Sequence, residues 1–186
     1  MRSQLAIPKN VAYSKKNIFE ISLNQTRSKE LGSNVIIPHV CNNVNAFGAG
    51  FARDISLRYP IVKDNYHMLG KKQQLGHVQY ITVHKDSSYG HELIIANMIG
   101  QNGLKSPKNK RPLNYYALAY CMSNVSLFIK SNIANDNTAK YEIHCPKFGS
   151  GLAGGNWSFI MNLIEDIWTN YPVVVYDKIS QERIKE

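Results

Sequence analysis

The stretch that most limits what this chain can become lies at residues 141–168. An extended, β-prone segment at 141–147 gives way to Phe148-Gly149-Ser150-Gly151-Leu152-Ala153-Gly154-Gly155-Asn156, after which Trp157, Ile160, Met161, Ile164, Ile167 and Trp168 recur at helical spacing. This is a strand, a glycine turn and an amphipathic helix in succession. Four glycines let the backbone approach a ligand, Asn156 suits a helix N-cap, and a helix start offers unbonded N–H groups to an anion. Such a junction either cradles a phosphate or merely joins a strand tightly to a helix, so a second feature is needed.

The second feature lies upstream. Residues 34–41 form a nearly continuous apolar, β-branched run, as expected of a strand buried on both faces, with Pro38 predicting a bulge or an edge. Gly48-Ala49-Gly50 then opens a predicted helix through Phe51, Ala52, Ile55 and Tyr59 that Pro60 ends. Elsewhere the pattern predicts a weak strand at 11–15, a polar loop with a helical turn towards Gly32, and a short helix at 62–72. A hairpin follows, with strands at 77–84 and 91–99, which places an antiparallel pair in the middle of a mixed sheet. A long helix carries Leu113, Tyr116, Ala117, Tyr120, Leu127 and Phe128, a last strand spans 172–177, and the tail beyond is polar.

A chain of 186 residues with 44% hydrophobic content suits one domain, with a core at about 11–178. The net charge of +9 favours an anionic partner, and the loop bearing Lys105, Lys108, Lys110 and Arg111 either closes over an anion or is a solvated surface. Cys41, Cys121 and Cys145 form no C-x-x-C pair, which argues against a disulfide framework or a zinc knuckle and for a reducing, cytoplasmic setting. No run approaches the length of a membrane span. A nucleic-acid binder is the weakest class, because aromatic and basic residues do not interleave as they do in single-strand binders. No metal and no cofactor are expected, and a monomer is.

The two junctions together resemble a macro domain. The matching residues are His39-Val40-Cys41-Asn42-Asn43 and Phe47-Gly48-Ala49-Gly50-Phe51-Ala52, then Pro146-Lys147-Phe148 with the glycine turn to Trp157. They are similar to the branch that includes ADP-ribose 1″-phosphate phosphatases and terminal ADP-ribose glycohydrolases. The resemblance implies an α/β fold, a three-layer αβα sandwich with a mixed central sheet, binding ADP-ribose or a derivative, with an ADP-ribosylated macromolecule as a further possible partner. It implies that Asn17 and Ile18 lie by the adenine, with Asn17 where many relatives carry an Asp. It places Asn42 at the distal ribose, Gly48, Ala49, Gly50 and Phe51 around that ribose and its phosphate, Gly149, Ser150, Gly151, Leu152, Ala153 and Gly154 along the diphosphate, and Tyr176 beside the adenine.

The departures bear on chemistry. Terminal glycohydrolases use an Asp in the second loop and a Lys from the middle strand, where this chain has Ala153 and Gln101. Another hydrolytic branch has an Asp where Ala52 stands, and Asp54 lies two residues further round the helix. Phosphatase chemistry needs a positioned water, an acid or base near neutrality and donors for charge, for which His39 beside Asn42 is the first candidate and His144 the second. The expected activity is therefore conversion of ADP-ribose 1″-phosphate to ADP-ribose and phosphate. Removal of ADP-ribose from protein or nucleic acid, and binding without turnover, are the alternatives.

Overall fold

The computed structural model describes residues 9–23, 32–71 and 73–177. The polar tail and most of the loop before Gly32 lie outside them. Six strands form one sheet: β1 (Val11–Ser14), β2 (Asn34–Asn42), β3 (Val78–Lys85), β4 (Glu92–Gln101), β5 (Tyr141–Pro146) and β6 (Val173–Tyr176). Their order across the sheet is β1-β6-β5-β2-β4-β3. Every neighbouring pair is parallel except β3 with β4. The sheet is mixed, as expected, but the antiparallel pair lies at one edge and not in its middle, because the hairpin partner β3 ends the sheet.

Among the described residues, four α-helices cover the two faces. Alternation along β2 sends Val35, Ile37 and Cys41 to the side of α1 (Gly50–Arg58) and α2 (Pro60–Met68), where they meet Ile55, Val62 and Tyr66. Ile36 faces α3 (Tyr115–Asn135) and α4 (Trp157–Ile167) instead. Helix α3 buries Leu118, Met122, Val125 and Ile129, a stripe at three- and four-residue spacing, and the Trp168 indole N–H donates to the Met122 carbonyl at 3.0 Å, tying the end of α4 to α3. The result is the three-layer αβα sandwich.

Two boundaries differ from the periodicity reading. Pro60 ends α1 and also starts α2 as its first residue, where a missing N–H costs nothing, so α2 spans Pro60–Met68 and not 62–72. Pro38 marks neither an edge nor a bulge: β2 is interior, the register shift falls between Cys41 and Asn42, and Pro38 lies past the last β2 residue that pairs with β5.

That last point positions the site. Pairing of β2 with β5 stops at Ile36 and Ile143, while β2 continues along β4 to Asn42 and β5 continues along β6 to Tyr176. The carboxyl ends of two central strands therefore part. The chain leaves β2 towards α1 on one face and leaves β5 towards α4 on the other, which makes this the switch point where open α/β sheets hold ligands.

Candidate functional site

Both glycine loops stand at the parted strand ends. Helix α1 begins at Gly50, whose φ of +55° is a left-handed conformation that a side chain would strain, and its N-cap Ala49 supplies no side-chain acceptor. Its first N–H groups are thus left for another partner. Helices α3 and α4 differ: Asn114 accepts from Ala117 N–H, and Asn156 accepts from Phe159 N–H, the cap read from the sequence. In the second loop Gly154 N–H donates to Gly151 O at 3.0 Å and Gly155 N–H to Gly149 O at 2.8 Å, folding the turn on itself. The N–H groups of Gly149, Ser150, Gly151, Leu152 and Ala153 donate to no described residue. Five consecutive N–H groups without a partner among the described residues, in a loop that meets an uncapped helix start, are donors suited to anionic oxygens. The loops also meet: a Cβ on Gly50 would lie 3.5 Å from Leu152 Cδ1.

The expected ligand contacts distribute unevenly. Gly48 and Gly151 face open space. A Cβ on Gly154 would lie 2.8 Å from Lys110 O and 3.3 Å from Arg111 Cα, so this glycine makes room for the loop after β4. Ala153 and Ile18 turn their side chains into the core. Asn17 Oδ1 accepts from Phe19 N–H at 3.0 Å and caps the short 3-10 turn Ile18–Glu20, keeping one lone pair for a ligand. Phe51 stacks on Phe19 with centroids 5.6 Å apart, which seats that turn on α1.

The two side chains expected to do chemistry are built into the interior. Asn42 is buried, its Oδ1 accepting from Val44 N–H at 3.0 Å and Ala46 N–H at 3.1 Å while its Nδ2 donates to Ala46 O at 2.6 Å. The Tyr66 hydroxyl approaches the Asn42 carbonyl at 2.7 Å and Oδ1 at 3.0 Å. Asn42 therefore shapes the first loop from within. His39 is 2% exposed, with its ring edge-on to Phe47 and Phe51. Its Nε2 lies 2.6 Å from Asn97 Oδ1, and since Asn97 Nδ2 donates to Gln79 Oε1 at 3.0 Å, Nε2 carries the proton. Burial lowers its pKa from 6.5 to about 4, against a smaller opposing effect of the Asn97 bond. An imidazole so placed is buried and lowered well below neutrality, so this geometry lends no support to the expected role as catalytic acid or base.

His144 lies on β5 with Glu142 on the same face, as two-residue spacing requires. Its Nε2 is 3.0 Å from Glu142 Oε2 and its Nδ1 2.9 Å from the Tyr176 hydroxyl. With Glu142 as a carboxylate, which only accepts, Nε2 carries the proton of that bond, and Nδ1 pairs with the Tyr176 hydroxyl. Burial, and then Glu142 and Cys145, push the Tyr176 phenol up to about 12, so it stays protonated. Tyr176 is half-buried and packs against the α1/α2 side of the sheet. Burial also raises the Cys41, Cys121 and Cys145 thiols, which excludes a ready thiolate nucleophile among them. Among the described residues no group of three His, Cys, Asp or Glu side chains is placed to hold a metal ion, and no helix is long and apolar enough to cross a membrane.

Tyr66, Gln79 and Glu142 were not singled out from the sequence. The one available signal was Glu142, a carboxylate inside an apolar strand two residues before a histidine.

No protein-family model matches the chain, and no curated protein matches it by sequence. Solved structures do. A protein of unknown function from Bacteroides thetaiotaomicron is 28% identical with a TM-score of 0.68, over 90% of this chain and 97% of that one. A macrodomain protein from Streptomyces coelicolor is 28% identical with a TM-score of 0.64, over 90% of this chain and 98% of that one. Thermosipho africanus DarTG, solved in complex with ADP-ribose, is 16% identical with a TM-score of 0.66, and its match takes in 97% of this chain and 44% of that one. The fold of this chain is the macrodomain fold.

Proposed function

We propose that the cleft between residues 43–50 and 147–156 binds ADP-ribose or a derivative of it. The observation that carries this reading is the run of five free N–H groups at residues 149–153 set against the uncapped start of α1, where the central strands part. A diphosphate supplies the acceptors that these N–H groups lack among the described residues. The ADP-ribose in the structurally similar Thermosipho africanus DarTG supports the choice of ligand.

The finer reading is that the derivative is ADP-ribose 1″-phosphate, hydrolysed to ADP-ribose and phosphate. It is supported by Ala153 and Gln101 standing where terminal glycohydrolases use an Asp and a Lys, and by the excess of basic residues, which suits a substrate with one more phosphate. Catalysis would then rest on backbone donors and positioned water, since phosphoryl transfer needs chiefly positioning and charge stabilisation.

Binding without turnover is the second reading, favoured by the internal engagement of both His39 and Asn42. Calorimetry with ADP-ribose, followed by phosphate release from ADP-ribose 1″-phosphate and ADP-ribose release from modified protein and nucleic acid, separates the readings. Binding with phosphate release alone supports the phosphatase. Binding with no release from any substrate supports the reader, and no binding overturns the proposal.

A further inference from the structure

The segment after β4 borders an open basin, walled in part by Arg111, that lies outside the two glycine loops. Residues 93–135 contain no carboxylate, yet Lys105, Lys108, Lys110 and Arg111 are packed into one short loop. None of these four cations forms an ion pair with a described residue. The loop borders an open hollow of about 440 Å³ whose walls include Asn102, Asn109, Arg111, Leu113 and Tyr115. Arg111 lies over the Tyr115 ring, its guanidinium carbon 4.6 Å from the centroid. The stack uses one face of the guanidinium and leaves its N–H edge, held in a fixed plane, for a forked anion.

The basin shares walls with both loops of the cleft. Asn43, next to Asn42, donates through Nδ2 to Asn102 Oδ1 at 3.1 Å and accepts at Oδ1 from Gly103 N–H at 2.8 Å. On the other side Leu113 N–H donates to Ala153 O at 3.1 Å, and Asn156 N–H donates to the Tyr115 hydroxyl at 2.8 Å. Asn109 Nδ2 donates to Asn102 O and Leu104 O, which braces the loop in this shape. A ligand whose diphosphate occupies the second glycine loop thus lies next to the loop that carries Arg111, whose backbone packs against Gly154.

We propose that this basin is a second phosphate subsite, in which Arg111 takes a phosphate monoester that the ligand carries beyond its diphosphate. The inference rests on the ADP-ribose reading for the identity of the ligand, and on the Arg111 geometry alone for the binding of phosphate.

The test compares ADP-ribose with ADP-ribose 1″-phosphate by calorimetry on the whole chain, under conditions where no turnover occurs. Wild type should bind the phosphorylated ligand at least about tenfold more tightly, as expected for a charge-assisted fork. Arg111→Ala should erase that preference and leave ADP-ribose affinity unchanged, with Arg111→Lys intermediate. Equal wild-type affinities, or an Arg111→Ala change that weakens both ligands alike, would overturn the subsite. Titration with inorganic phosphate, followed through the side-chain NMR signals of Arg111, Asn102 and Asn109, is independent of ADP-ribose. Saturable shifts that vanish in Arg111→Ala support the subsite even if neither nucleotide binds, a result that would sink only the ligand reading. Absence of any shift in wild type would sink the subsite itself.

Discussion

Nε2 of His39 donates to Oδ1 of Asn97 across 2.6 Å, between residues that stand opposite each other on β2 and β4. The chain of bonds continues from Asn97 Nδ2 to Gln79 Oε1 at 3.0 Å, and from Gln79 Nε2 to Asn65 O at 2.9 Å. Three strands and α2 are thereby joined by one polar line through an apolar layer. Each member fixes the orientation of the next, so the line specifies register as well as stability.

This line makes stability depend on pH. An imidazole with a pKa of about 4 when folded and an ordinary 6.5 when unfolded binds fewer protons in the folded state between those values. The stability it permits is fully present above pH 6.5 and is lost as pH falls towards about 4. The full loss is on the order of 3 kcal/mol. His39→Gln should flatten this dependence, measured as urea unfolding between neutral and acid pH. His39→Ala should lower the melting temperature and leave the turnover of the folded fraction near wild type. A large fall in turnover at unchanged melting temperature would restore His39 as a catalyst.

The glycines of the second loop should separate into two kinds. Gly154 has a φ of +73° and no room for a Cβ beside Lys110 O, so Gly154→Val should destabilise the fold by about 2 kcal/mol or more through the loop after β4. Crowding of the diphosphate would be secondary. Gly151 has open space around it, so Gly151→Val should keep the melting temperature within a degree or two (about 0.5 kcal/mol) yet weaken ADP-ribose binding. Thermal melts and calorimetry on both variants check this, and equal behaviour of the two would contradict it.

The elements were legible in the sequence because their signals are local. The β-branched run of β2, the Asn156 cap and the stripe of α4 each follow from spacing over a few residues. The pairing of the two glycine loops was legible too, since both follow strands. The role of His39 was not. A histidine two residues before a cysteine on an apolar strand reads the same whether its ring meets water or Asn97, a partner 58 positions away. For Asn42 the motif marks the position, while its bonds to the Tyr66 hydroxyl and two loop N–H groups depend on partners the motif does not show. For Gly154 the sequence shows the glycine turn but not the Lys110 carbonyl, which lies nearest to where a Cβ would sit and comes from another part of the chain.

Asn42 should act on binding through the loop it holds. Asn42→Ala removes the acceptor for Val44 and Ala46 N–H groups and the donor to Ala46 O. A loss of about 2 kcal/mol in stability is expected, with a fall in ADP-ribose affinity as the first loop loosens. Tyr66→Phe should do the same more mildly, at about 1 kcal/mol, because the loop keeps Asn42 itself. If Tyr66→Phe leaves affinity intact while Asn42→Ala abolishes it at unchanged stability, Asn42 contacts the ligand directly.

The Glu142, His144 and Tyr176 line tests whether a structural chain orients a ligand-facing ring. Glu142 is fully buried and lies 3.0 Å from His144 Nε2, and His144 Nδ1 in turn lies 2.9 Å from the Tyr176 hydroxyl. If the ring of Tyr176 packs beside the adenine, its face matters for binding and its hydroxyl matters only for fixing that face. Tyr176→Phe should then cost about 1 kcal/mol of stability and weaken ADP-ribose only slightly, whereas Tyr176→Ala should weaken it by about tenfold. Glu142→Gln keeps a neutral acceptor for His144 Nε2–H and should be the mildest change at that position, while Glu142→Ala leaves the imidazole donor buried with no acceptor there and should lower stability by about 2 kcal/mol or more. Ligand affinity in Glu142→Ala should fall towards that of Tyr176→Ala, although Glu142 itself is remote from solvent. Calorimetry on all four variants, beside their melting temperatures, decides the matter: a Tyr176→Ala protein that binds ADP-ribose as tightly as wild type would make the line a purely structural one and remove Tyr176 from the site.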